Sequence, residues 1–280
     1  MSFRVALLSA AFALCTFSVS AAEAPVKPAD HPEFPWIKDS EFAEKVVLDI
    51  QKSGFDGVGP HMADIENVLA GARHAFEIAA AGDKDGTYVL TTDERGPALA
   101  PVQPDPKRKA YTAFNPYIEL SFFLGTYYDK HGKPEDGLRV LDLGLSLPGT
   151  DKDSHRGDLL IERGAALAAL HRWPESLAAY DDALRVPDTD VALQAYINRG
   201  RGMALYEMGR KPEARDAYLT SLKLVANNKD AQKALEFIEQ SRDGGPKMPP
   251  SMHVFQVPAD SQPQDQKPAD NATAPAKPKE

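Results

Sequence analysis

An all-α fold is predicted, an α-α superhelix of stacked helical hairpins, and three observations predict it. From Asn115 to about Arg242 apolar residues recur at helical spacing, interrupted only by short turns. Within that stretch one pattern of small and large residues returns three times at a nearly constant offset. The two ends of the chain differ in composition from this middle and read as lying outside the packed core.

Taken in order, residues 1–22 read as a secretory signal peptide. Arg4 is the only charged side chain before Glu23, Val5 to Val19 is apolar, and Val19-Ser20-Ala21-Ala22 supplies the small residues of a cleavage site. The apolar run is shorter than the roughly 20 residues a membrane span needs, so no stable membrane insertion is expected after cleavage. One arginine, a short apolar core and an Ala-x-Ala-like end form a bacterial style of signal. A periplasmic or secreted location follows. Cys15 is the only cysteine, and Leu14 before it is not the small residue a lipoprotein signal requires. The processed chain would carry no disulfide, no thiol nucleophile and no cysteine metal site.

Lys and Arg number 32 against 41 Asp and Glu, a net charge of −9, and loss of Arg4 makes it one unit more negative. Phosphate binding needs a basic surface, so nucleic-acid binding is not expected.

Residues 23–35 are rich in Pro, Ala and charge and read as a linker. Residues 36–112 read as a mostly helical preamble. Asp39 or Ser40 would cap a first helix bearing Phe42, Val46, Val47 and Ile50 on one face. Gly54 to Pro60 breaks it. A second helix from about Ala63 carries Ile65, Val68, Leu69, Ala72 and Phe76, and ends in the run from Gly82 to Gly86. Thr87 to Thr92 is β-branched and aromatic, hence a short strand or an extended loop. Gly96 to Arg108 contains four prolines and reads as a linker or surface loop.

Residues 115–242 hold the three hairpins and a capping helix. The second helices align as Gly137, Leu138, Leu141, Gly144, Leu145; then Ser176, Leu177, Tyr180, Ala183, Leu184; then Ala214, Arg215, Tyr218, Ser221, Leu222. Small residues stand where two helices must approach, and a large one fills the space between them. Twelve residues upstream of each set lies Gly125, Gly164 or Gly202 in a predicted helix interior, where glycine costs about 1 kcal/mol relative to alanine. Turns ending Lys133-Pro134-Glu135, Trp173-Pro174-Glu175 and Lys211-Pro212-Glu213 place proline and glutamate in a first helical turn, where both are favoured. Ala231, Ala234, Leu235 and Ile238 form one more amphipathic helix, suited to cover an open end. Residues 243–280 are Pro-, Ala-, Gln- and Lys-rich and are predicted to be a disordered tail, with Val254 to Val257 as its one apolar island.

Leu124-Gly125-x-x-Tyr128, Arg163-Gly164-x-x-Leu167 and Arg201-Gly202-x-x-Leu205, each followed by its turn and second helix, resemble tetratricopeptide repeats. The resemblance covers a little under half of the chain. The offsets between the glycines are 39 and 38 residues against about 34 in the family, and the family's tryptophan position holds Ser121, Leu160 and Asn198. The extra residues fall in the connections, around Pro148 to Arg156 and Pro187 to Asp190.

The resemblance implies a non-enzymatic scaffold or adaptor that binds a protein or peptide of the cell envelope. In that family the first helices line a concave groove. Carried over by position, groove candidates are Phe122, Thr126 and Asp129; Ile161, Ala165 and Ala168; and Arg199, Met203 and Tyr206, with Glu207 beside them. The family's carboxylate-clamp lysines and asparagines are not reproduced, so recognition of a C-terminal carboxylate is not implied.

The residues themselves display no catalytic or cofactor motif. The seven histidines are scattered, and a phosphate loop, a His-Glu-x-x-His helix and a Gly-x-Ser-x-Gly elbow are all missing from the sequence. No cofactor and no metal are expected. The competing expectation is a cell-wall-binding protein or envelope enzyme with a site in residues 36–112, where His61, Asp64, His74, Asp93 and Glu94 are the polar candidates.

Overall fold

A computed structural model describes residues 35–84, 88–91, 109–112, 115–187, 189–241 and 246–249. The predicted signal peptide, most of the linker, Gly96 to Arg108 and Val254 to Val257 lie outside the described residues. The fold is all-α, as predicted. Helices α1 (Pro35–Ser53) and α2 (Met62–Lys84) are joined by a 3-10 turn over Gly54–His61. Strands β1 (Tyr88–Thr91) and β2 (Lys109–Thr112) pair in parallel, Tyr88 opposite Lys109, as a small two-stranded ribbon. Then come α3 (Pro116–Lys130), α4 (Pro134–Ser146), α5 (Arg156–Ala169), α6 (Trp173–Ala183), α7 (Val191–Glu207), α8 (Lys211–Leu224) and α9 (Lys229–Gln240).

The first helix does not start at Asp39 or Ser40. It begins at Pro35, a residue preorganised for a first helical turn. Trp36 is fully buried there, so tertiary packing rather than capping places this end. Ser40 instead donates to the Trp36 carbonyl, and Asp39 accepts from a distant tyrosine described below.

The hairpins α3–α4, α5–α6 and α7–α8 turn in the same way. Lys133, Arg172 and Arg210 each donate a backbone N–H to the carbonyl five residues back, at 2.9, 2.8 and 2.8 Å. This bond closes the helix end only if the residue before it is left-handed. Gly132, His171 and Gly209 occupy that position with φ of 68°, 57° and 77°. His171 is the one of the three that carries a side chain.

Inside each hairpin the predicted close approach is present. A methyl group built on Gly125, Gly164 or Gly202 would lie 2.6, 2.8 or 2.7 Å from Leu141, Tyr180 or Tyr218. The Tyr180 ring is also pressed by Gly200 of the next hairpin, where a methyl would come within 2.4 Å. One ring thus locks two hairpins together, because both flanking helices present glycine. Buried Ser176 and Ser221 donate to the carbonyls of Gly164 and Ala195 at 2.8 Å each, so the packed polar groups are satisfied. Arg163–Asp142 and Arg201–Asp181, both 2.6 Å, tie each first helix to the preceding second helix.

The preamble is part of the same core. Trp36 stacks edge-on to Phe76 and Tyr117, with ring centroids 4.7 and 5.1 Å apart. The Tyr117 hydroxyl donates to Asp39 at 2.7 Å, and the Tyr128 hydroxyl donates to Glu66 at 2.8 Å, which also pairs with Arg139. Burial, reinforced by these carboxylates, raises both phenols, Tyr128 to about 12, so each remains a donor. One apolar cluster runs without a break from Trp36 through hairpin one into α5 and α6.

Candidate functional site

The first helices of successive hairpins pack on one another, α3 on α5 and α5 on α7, whereas the second helices do not to a comparable extent. The first helices therefore lie on the inner side of the curve. That is the face on which the groove candidates were placed.

The structure divides those candidates into three groups. Phe122, half-buried, meets Phe55 of the preamble and His155, with centroids 5.9 and 6.2 Å away. Thr126 is buried, and its hydroxyl has no hydrogen-bond partner among the described residues. Asp129 turns its carboxylate toward Gly137 in the first turn of α4, where the helix dipole favours it. These three serve the packing of hairpin one on its neighbours. Ile161 is buried in a separate small cluster with Tyr180 and Tyr196. Ala165 and Ala168 are buried beneath Met203 in the cluster of the third hairpin.

Arg199, Met203 and Tyr206 form the third group. They follow each other at helical spacing along α7. Arg199 lies 5.2 Å from the centre of the Tyr196 ring. Burial holds its guanidinium below the usual arginine pKa, and no carboxylate lies within ion-pair distance among the described residues. Met203 is fully buried. The Tyr206 ring meets Phe237 of α9, centroids 5.6 Å apart.

A chain segment sits on this group. Residues 246–249 fall within the predicted disordered tail, and here the prediction is corrected. Met248 is 2% exposed, in one cluster with Met203, Tyr206 and Tyr218. Its N–H donates to Glu207 at 2.8 Å. The Tyr206 hydroxyl donates to the Pro246 carbonyl at 2.8 Å, and the Tyr218 hydroxyl lies 3.5 Å from the Met248 sulfur. Composition failed here because one buried side chain among prolines barely changes a window average, while prolines lower the entropy lost on docking. Glu207 and Tyr218 both stood in the repeat pattern. Only their shared ligand was illegible.

At the other end of the inner face, His155 hydrogen-bonds Asp153 at 3.2 Å and lies 3.9 Å from Glu119. Burial opposes its charge, but the Asp153 hydrogen bond and the carboxylates of Glu119, Asp153 and Asp158 outweigh burial and raise its pKa. Asp158 is itself raised by burial, with Asp190 and Asp153 adding to the shift.

The polar candidates of the preamble do not converge. His61 is buried and bonded to Asp49 at 2.9 Å, while His74 is exposed beside Glu77 at 3.5 Å. Asp64 is exposed, and Asp93 and Glu94 lie outside the described residues. On the outer side, a cleft of about 350 Å³ between α6, α7 and α8 contains Arg201 and Arg210, already paired with Asp181 and Glu213. Among the described residues no group of three or more His, Cys, Asp or Glu is placed to hold a metal, and no helix is long and apolar enough to cross a membrane.

No protein-family model matches the chain, and no curated protein matches it either.

Proposed function

We propose that this chain is an exported, non-enzymatic scaffold of tetratricopeptide-like hairpins that binds a protein or peptide of the bacterial envelope along its inner face. The observation that supports this reading is the extended segment already seated on α7. Two of its backbone groups are held by side chains of that helix, and its one large apolar side chain is buried. A face that holds one extended chain by its backbone has the chemistry to hold another. Arg199, two turns before Tyr206, adds a partly desolvated cation with no carboxylate in ion-pair distance among the described residues, suited to a carboxylate or carbonyl of the ligand. Among the described residues the large apolar side chains are covered, with Leu48 and Val191 the exposed ones, and those at the C-terminal end of this face are covered in part by the strap rather than by a helix. The signal-like N-terminus supports an encounter in the periplasm.

The test is capture from envelope extracts with the wild-type chain and with Arg199→Ala and Tyr206→Ala. Partners bound along the inner face are lost or weakened in both variants. Capture of every partner unchanged by either substitution contradicts the reading.

A further inference from the structure

The segment over α7 is held in a way that does not depend on its being part of this chain. Pro246 offers its carbonyl to Tyr206, Lys247 points to solvent, and Met248 turns inward with its N–H on Glu207. Carbonyl held, next side chain out, next side chain in is the alternation of an extended strand. Both hydrogen bonds go to backbone atoms that any peptide carries. The side-chain selectivity resides in one position, an unbranched thioether that reaches the Tyr218 hydroxyl of α8. Pro249 follows it and favours an extended backbone at the anchor.

We infer that the C-terminal end of the inner face is a subsite for an extended Pro-x-Met-Pro segment, and that the chain's own residues 246–249 fill it as a built-in competitor of the partner. This rests on the inner-face binding proposed above and specifies its ligand. The partner presents an apolar, unbranched anchor followed by proline, and it must displace the strap to reach Met203, Tyr206 and Tyr218. A tethered competitor acts at an effective concentration on the order of 1 mM. A free peptide of intrinsic Kd about 0.1 mM would therefore bind the intact chain roughly tenfold more weakly than a chain whose strap is undocked.

The experiment uses the full chain and a fluorescent peptide spanning residues 244–251, Gly-Gly-Pro-Lys-Met-Pro-Pro-Ser, followed by anisotropy. Met248→Asp undocks the strap by placing a charge in an apolar cluster, and Met248→Ala does so more mildly. The peptide binds Met248→Asp about tenfold more tightly than the wild type and Met248→Ala more tightly by a smaller factor, and a peptide with aspartate in place of methionine binds neither. Variants that keep their helical circular dichroism yet bind no better than the wild type overturn the inference. So does loss of the helical signal in both, because the segment would then be core and not an exchangeable ligand. Peptide binding that is absent while Arg199-dependent capture persists removes this subsite and leaves the scaffold reading standing; loss of both removes both.

Discussion

The two ends of the helical stack are closed by different means. At the N-terminal end, α1, the 3-10 turn and α2 cover hairpin one with aromatic side chains, buried tyrosine–carboxylate hydrogen bonds and a core continuous with the repeats. At the C-terminal end, α9 covers part of hairpin three and a four-residue strap covers the rest, anchored by one methionine. The first closure cannot open without exposing the core. The proposed exchange requires the second to lift off and leave every helix in place. The inequality is what supports that proposal for the C-terminal end.

The largest effect that separates the ends is Trp36→Ala. A fully buried tryptophan with two edge-on aromatic neighbours is lost, and global stability falls by about 3–5 kcal/mol in chemical denaturation. Met248→Ala removes a side chain that is nearly as buried. Its effect on global stability stays well below that range, because the strap undocks locally before the helices unfold. Equal losses would mean that the ends are equivalent after all.

Next in size is Gly200→Ala, midway between them. The new methyl would stand 2.4 Å from the fully buried Tyr180 ring, which Gly164 blocks on its other side. Overpacking of this kind costs about 1–3 kcal/mol, against the roughly 1 kcal/mol that alanine gains over glycine in a helix. A net loss in thermal unfolding is expected, and an increase in Tm would show that the ring can move aside.

A smaller effect depends on pH. His155 has a folded pKa above its unfolded value near 6.5, so its contribution is fully present below about pH 6.5 and is lost as pH rises through the folded value. The groups facing it are Glu119 from α3, Asp153 from the preceding loop and Asp158 from α5, with Asp190 of the α7 cap next to Asp158. Wild type therefore loses stability relative to His155→Gln as pH rises above about 6.5 and through the raised folded value. A stability difference that is flat across this window contradicts the charge assignment.

The smallest is His171→Gly. The left-handed backbone at His171 costs a residue with a side chain about 1–2 kcal/mol, partly offset by the greater freedom of glycine when unfolded. A gain of about 0.5–1 kcal/mol is expected in urea unfolding, and a loss would show that the His171 contact with Trp173 matters more than the backbone.

The hairpins were legible because repetition amplifies a weak signal. One glycine in a helix proves little, but Gly125, Gly164 and Gly202 at one register require three equal close approaches, and the structure contains them. Repetition does not mark where a helix starts: the third hairpin begins at Val191 because Asp190, a residue of the lengthened connection, caps it through the Leu193 N–H at 2.8 Å. The single-copy features were less legible. Asp39 reads as a helix cap by type but serves as acceptor for Tyr117, 78 residues away. The β1–β2 pairing joins two short segments across a proline-rich stretch that carries no register signal. Of the groove candidates, Met203 and Tyr206 meet the strap, whereas Thr126 and Ile161 are buried in packing, since helical position alone does not say how tightly a neighbour covers it.

Hydrogen exchange on the intact chain compares the two closures directly. Amides of α1 and α2 are expected to exchange only through global unfolding, while the Met248 amide, protected by Glu207, opens through a local event of much lower free energy, and Met248→Ala removes the protection at this position. A Met248 amide that exchanges only when the whole chain unfolds would make the strap a fixed part of the core, and the C-terminal end of the stack would then be no more a binding site than the N-terminal one.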